Sequence, residues 1–84
     1  METIELNDKT QLTGHIIPNG DDTVIFVYLT GMSLADGFSL FSNERNLTVI
    51  RENNHGTEHV YRGFTQMTAI SAEFGNCNIT LRKP

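Results

Sequence analysis

The sequence predicts a mainly β (α+β) fold: a strongly bent antiparallel sheet or partly open β-barrel of about seven short strands, with one short helix between strands three and four. Three observations predict it. Apolar residues recur at every second position in most apolar stretches. Clusters of Asn, Asp and Gly punctuate these stretches at short intervals. Residues 31–46, GMSLADGFSLFSNERN, switch to helical spacing between two strand-like runs.

Taken in order, TIEL places Ile4 and Leu6 on one face, with Thr3 and Glu5 opposite. Asn7-Asp8-Lys9-Thr10 is turn chemistry, because Asn and Asp tolerate left-handed backbone and bond their own main chain. QLTGHII alternates again, with Leu12 and Ile16 on one side of Gly14, completing an N-terminal hairpin. Pro18-Asn19-Gly20-Asp21-Asp22 is the sharpest break, and Asn-Gly is a favoured hairpin turn. Residues 23–29, TVIFVYL, are apolar on both faces and read as a central strand covered on both sides. The opening stretch can supply that cover. Ser33 stands three residues before Asp36 in an N-cap pattern, and Leu34, Phe38 and Phe41 fall on one helical face with Leu40 beside them. On this reading Phe38→Asp unfolds the domain. Gly37 weakens the helix by roughly 1 kcal/mol relative to Ala.

Asn43-Glu44-Arg45-Asn46 then reads as a turn, LTVIRE as a strand, Asn53-Asn54-His55-Gly56 as a hairpin loop and TEHVYR as its partner. Residues 64–74 are ambiguous. Phe64, Met67, Ile70/Ser71 and Phe74 fit a helix capped by Gly75, yet Thr65 and Thr68 favour a strand. Strand is preferred, because Gly75-Asn76 then joins it to CNITLR, with Cys77, Ile79 and Leu81 inward. Phe26, Phe38, Phe41, Phe64 and Phe74 are all assigned to the core.

At 84 residues the chain fits a single domain, 1–84, with a modest core. Its one cysteine excludes an intrachain disulfide. METIELNDKT alternates without an apolar h-region, so no signal peptide is expected, and no apolar run approaches the roughly 20 residues of a membrane span. The net charge is −4, with −5 in residues 1–42 and +1 in residues 43–84. Such a balance offers little to neutralise phosphates, so no nucleic-acid partner is expected. The asymmetry reads first as a mixed solvated surface, with orientation of one molecule against another as the alternative.

No catalytic or cofactor-binding constellation stands out. His55 and His59 have the spacing of a helical metal pair, but across a loop and strand they would lie roughly 13 Å apart. His15 reads as a histidine on a sheet face and Cys77 as a small buried hydrophobe. Asp21-Asp22 lacks the further ligands of a calcium loop. No metal and no cofactor is therefore expected, and no enzymatic activity. The strand–helix order is OB-like, but OB-folds that hold single strands use basic grooves lined by aromatics.

Across nearly the whole chain, IELNDKTQLTGHII, VIFVYLTGMSLADGFSLFSNERNLTVI, YRGFTQMTAISAE and a closing ITLRK resemble small proteins of about 80–90 residues encoded in prophages of low-GC Gram-positive bacteria. The motif Tyr61-Arg62-Gly63-Phe64-Thr65 matches their Tyr-x-Gly-[Phe/Tyr]-Thr pattern. The resemblance implies a phage-related accessory or structural protein, placed in the host cytoplasm or on the virion. It carries over no catalytic residue. Gly63 has a structural reading too, as a bulge or bend with Tyr61 and Phe64 packing on either side. The expected function is non-enzymatic protein–protein interaction, with phage structural proteins or further copies of the chain as partners. The alternative is an OB-like module for a small ligand or single-stranded nucleic acid. The expected interaction surface is the polar side of the helical stretch and the turn after it: Asp36, Ser39, Glu44 and Arg45.

Overall fold

Alternation becomes strand almost everywhere in the computed structural model, which describes residues 2–84. The strands are β1 (Thr3–Glu5), β2 (Gln11–Pro18), β3 (Val24–Thr30), β4 (Val49–Asn54), β5 (Thr57–Arg62), β6 (Gln66–Glu73) and β7 (Asn76–Arg82). One helix, α1 (Leu34–Phe41), and a 3-10 turn over Glu44–Leu47 lie between β3 and β4. The strands form a single antiparallel sheet in the order β5-β4-β1-β2-β3-β7-β6. Residues 64–74 thus follow the strand reading. β5 and β6 are the two edges and do not pair with each other, so the sheet is bent and open, and the barrel form of the expectation is not closed. A flat sheet is about one layer, roughly 10 Å, thick. Extents of 30 × 28 × 25 Å require strong curling.

The concave face holds the core. Ile4, Ile16, Ile25, Val27, Leu29, Ile50, Cys77, Ile79 and Leu81 point inward from the strands, joined by Leu6, Phe41, Leu47 and Phe64. The inward row Cys77, Ile79, Leu81 is the one the alternation marks out.

The pairing of β1 with β2 runs from Glu5 opposite Gln11 to Thr3 opposite Thr13, and next to it the Glu2 carbonyl accepts from the Gly14 N–H at 3.3 Å. The next N–H on that side, at Ile16, donates instead to the carboxylate of Glu52 on β4. Glu52 is only 4% exposed, the one buried charged residue among those described. The carboxylate thus accepts from a main-chain N–H in the core, which is how its burial is tolerated.

The helix begins as its sequence dictates. Ser33 Oγ accepts from the Asp36 N–H at 3.1 Å, and Asp36 sits in the first turn. Its rotation differs from the expected one. The buried stripe is Gly37 and Phe41, while Leu34 is 50% and Phe38 55% exposed. The cause is the close approach at Gly37, where an added Cβ would lie 2.6 Å from Cys77 Sγ. Pressing the helix backbone onto β7 turns Leu34 and Phe38 sideways toward solvent. Phe38 is therefore outside the core, contrary to the sequence reading, and Phe38→Asp is expected to leave the fold intact.

A second correction follows. Cys77 is on the same face as Leu29, its partner on β3, so α1 packs on the concave side. The outer face of β3, bearing Val24, Phe26 and Tyr28, has no helix over it and is half-buried. Phe26 therefore belongs to that outer face.

Turns are set by left-handed residues. His55-Gly56 (φ 52° and 81°) and Phe74-Gly75 (φ 51° and 78°) are two-residue hairpin turns, of the sort whose twist suits adjacent strands. At the Asn19-Gly20 break the hairpin forms, but Asp22 (φ 60°) takes the left-handed position and the loop is longer. Phe74 is not core at all; it is 92% exposed.

Candidate interaction surface

The four expected surface residues are all exposed: Asp36 and Ser39 on α1, Glu44 and Arg45 in the 3-10 turn. That turn is firmly held. Asn43 caps it by accepting from the Arg45 N–H, and the Arg45 carbonyl accepts from Asn7 Nδ2 at 3.1 Å. Asn46 Nδ2 donates to Asp8 at 3.0 Å, locking the turn to the first hairpin.

The structure adds apolar residues to this polar set. Leu34 and Phe38, four apart on α1, share one exposed side of the helix, while Asp36, two residues from each, is exposed on another side. The Phe74-Gly75 turn is tied to the same end of the molecule, because the Gly75 carbonyl accepts from the N–H groups of Gly31 and Met32 at 2.9 and 3.1 Å. The result is an end bearing three exposed large apolar side chains and an acid, with no basic residue in the last helical turn. Sequence reading missed these apolar residues because it sent Leu34, Phe38 and Phe74 to the core. One signal was present: Phe74 stands directly before a turn glycine, where strand cores do not extend.

At the opposite end of β3 and β7 lies a groove of about 350 Å³. Its lining combines the buried Ile25 and Phe64 and the half-buried Tyr61 with the exposed Pro18, Val60, Asp22, Arg62 and Lys83. Gly63 (φ 83°) bends the chain between β5 and β6, as its place in the motif implies. The bend stacks Phe64 edge-on against Tyr61, with centroids 6.2 Å apart and planes at 71°, so the two rings touch each other rather than flanking the glycine. Lys83 Nζ lies 4.9 Å above the Phe64 ring. Burial, and then the charge of Glu52, push the Tyr61 hydroxyl above its ordinary value of 10.0. Neither Arg62 nor Lys83 is ion-paired among the described residues.

The remaining chemistry-bearing residues do not converge. Among the described residues no group of three or more His, Cys, Asp or Glu side chains is placed to hold a metal. His55 occupies a hairpin turn and His59 lies in β5 opposite Glu52. His15 stacks on Tyr28 across the outer face (5.1 Å, 22°), with Glu2 at 3.5 Å from its Nδ1. Cys77 is buried, and that burial pushes its thiol up. Among the described residues no helix is long and apolar enough to cross a membrane. Comparison with protein-family models, with curated proteins and with solved structures returns no match.

Proposed function

We propose that this is a non-enzymatic interaction module, a phage-related accessory or structural protein that acts by docking another protein on the end formed by α1 and the Phe74 turn. One observation carries the reading. Phe74 is 92% exposed and sits at φ 51°, a backbone region where a bulky residue is an outlier. Such a residue costs on the order of 1–3 kcal/mol and gains no burial in return. Asn or Gly would be the stable choice there, so an aromatic fits a role outside folding.

Two measurements test this. Phe74→Asn should raise stability by about 1 kcal/mol; a loss would make Phe74 a structural residue. A benzophenone photo-crosslinker placed at position 38 or 74 in cells should give covalent protein adducts. Absence of adducts at both positions refutes the docking reading.

A second reading rests on the uncovered outer face, where His15, Tyr28 and Phe26 offer rings on which bases could stack. It corresponds to the OB-like alternative. Glu2 beside His15 and a net charge of −4 oppose it. Salt-dependent retention on an oligonucleotide column would favour it; none is expected.

A further inference from the structure

We propose that Asn19 is a site of self-modification: the main-chain nitrogen of Gly20 displaces ammonia from the Asn19 side chain, leaving aspartate and isoaspartate at the tip of the β2–β3 hairpin. This chemistry is independent of the docking surface described above. Three observations carry it.

The first is the pair of residues. The chain has eight asparagines, and Asn19 alone is followed by glycine. Attack on an asparagine side chain comes from the nitrogen of the next residue, where a Cβ crowds the approach. Glycine has no Cβ and the widest range of backbone angles.

The second is geometry. Asn19 Oδ1 accepts from the Gly20 N–H at 3.0 Å. The side-chain carbonyl carbon, one C=O bond of about 1.2 Å behind that oxygen, is thereby held beside the nitrogen that must attack it. The other asparagines are engaged differently. Asn43 Oδ1 accepts from the nitrogen two residues on, and the side-chain nitrogens of Asn7 and Asn46 are tied to the Arg45 carbonyl and to Asp8. Asn53, Asn54, Asn76 and Asn78 lie in paired strands.

The third is freedom to react. Asn19 and Gly20 are both exposed. The Asn19 N–H donates to the Val24 carbonyl and the Asp22 N–H to the Asn19 carbonyl, yet among the described residues the Gly20 N–H has no main-chain partner. A Cβ added at Gly20 would meet nothing within 4 Å, so the tip has room. The Asp21 carboxylate does not interfere, because it accepts from the Thr23 N–H and hydroxyl at 3.1 and 2.9 Å.

The step balances with water alone. The Gly20 nitrogen gives its proton to solvent and bonds to Asn19 Cγ, while the Cγ–Nδ2 bond breaks and Nδ2 leaves, with a proton, as ammonia. Water then opens the resulting succinimide ring at either carbonyl. Opening at Cγ gives aspartate on the ordinary main chain. Opening at the other carbonyl routes the main chain through Cβ and Cγ, which is isoaspartate. Nothing is oxidised or reduced. Either product adds one negative charge to a chain of net charge −4, between Pro18 and Asp22 of the groove lining.

The test holds the full chain for weeks at neutral and at mildly alkaline pH, folded and in urea, and follows it by ion exchange and peptide-mapping mass spectrometry. The folded chain should yield an acidic form heavier by about 1 Da, with the change confined to Asn19 and both aspartate and isoaspartate present. Alkaline pH should speed it, because the Gly20 nitrogen must lose its proton. Gly20→Ala, which the open space accommodates, should slow it at least about tenfold, with circular dichroism verifying the fold. If Asn19 stays intact in the folded chain and reacts only in urea, the hairpin protects it and the proposal is overturned. Loss spread over the other asparagines, aspartate without isoaspartate, or a Gly20→Ala rate equal to wild type would each overturn it as well.

Discussion

Gly37→Ala sets two well-characterised effects against each other. In a solvent-facing helix the change would stabilise by about 1 kcal/mol, because glycine is the poorer helix former. Here the new Cβ would stand 2.6 Å from Cys77 Sγ, 3.5 Å from Ile70 Cδ1 and 3.6 Å from Met32 Cγ. Only the first contact is prohibitive. Cys77 is fully buried and its sulfur is a single atom on a core strand, so it cannot swing away as the tip of a long side chain could. Overpacking of this kind costs roughly 1–3 kcal/mol. The net expectation is a destabilisation of about 0–2 kcal/mol, which corresponds to a fall in Tm of up to roughly 15 °C in a domain of this size. Cys77→Ala alone removes a buried atom and should cost about 1–2 kcal/mol. In the double variant the methyl group introduced at position 37 occupies the space the sulfur vacates, so the two losses should not add. Urea denaturation of all four proteins, read at constant m-value, gives the coupling energy directly. A coupling of at least about 1 kcal/mol is expected. If Gly37→Ala stabilises the chain, or the two changes add to within about 0.5 kcal/mol, the helix does not press on β7 as described.

Three other outcomes follow from the core and its charges. Phe41→Ala should cost about 3–5 kcal/mol by urea titration, whereas Phe38→Asp on the same helix should stay within about 1 kcal/mol of wild type; equal losses would restore Phe38 to the core. Glu52→Gln retains an acceptor for the Ile16 N–H and should be mild, while Glu52→Leu strands that buried donor and should cost about 2–3 kcal/mol; amide exchange at Ile16 would report the difference. Burial raises the Cys77 thiol above 9.0, and burial with the Glu52 charge raises the Tyr61 hydroxyl above 10.0. Because the folded state favours both neutral forms, their contribution is complete below pH 9.0 and is lost as pH rises through the folded values. Melting temperature should therefore fall from about pH 9 upward, and Cys77→Ala should remove the earliest part of that fall. A flat profile to about pH 11 would contradict the burial of both groups.

The elements were largely legible in the sequence because strand alternation and helix capping are local. The Ser33 cap, the inward row of β7 and the hairpins all follow from neighbouring residues. What was not legible depends on contacts distant in sequence. The helix face looked like Leu34, Phe38 and Phe41, yet Gly37 decides the rotation through Cys77, forty residues away. The doubt over residues 64–74 has a specific cause. A register shift between Met67 and Ala69 puts Met67 opposite Leu81 and Ile70 opposite Ile79, so two inward residues stand three apart, as on a helix. For the surface, Asp36, Ser39, Glu44 and Arg45 were readable as solvent-facing turn and helix residues. Leu34, Phe38 and Phe74 were not, because hydrophobicity alone cannot distinguish a core residue from an exposed one.

The same register shift governs how the chain behaves in concentrated solution. Between Gln66 and Ala72 the edge strand β6 carries no charge and no proline, the usual guards against edge-to-edge growth. Its guard is geometric: the extra residue, Thr68, bends the strand so that its free amides do not form a straight template. On this edge the guard is one extra residue of chain rather than a charge or a proline. Removing Thr68 would restore alternation along β6, and a greater tendency to edge-to-edge association is the expected outcome.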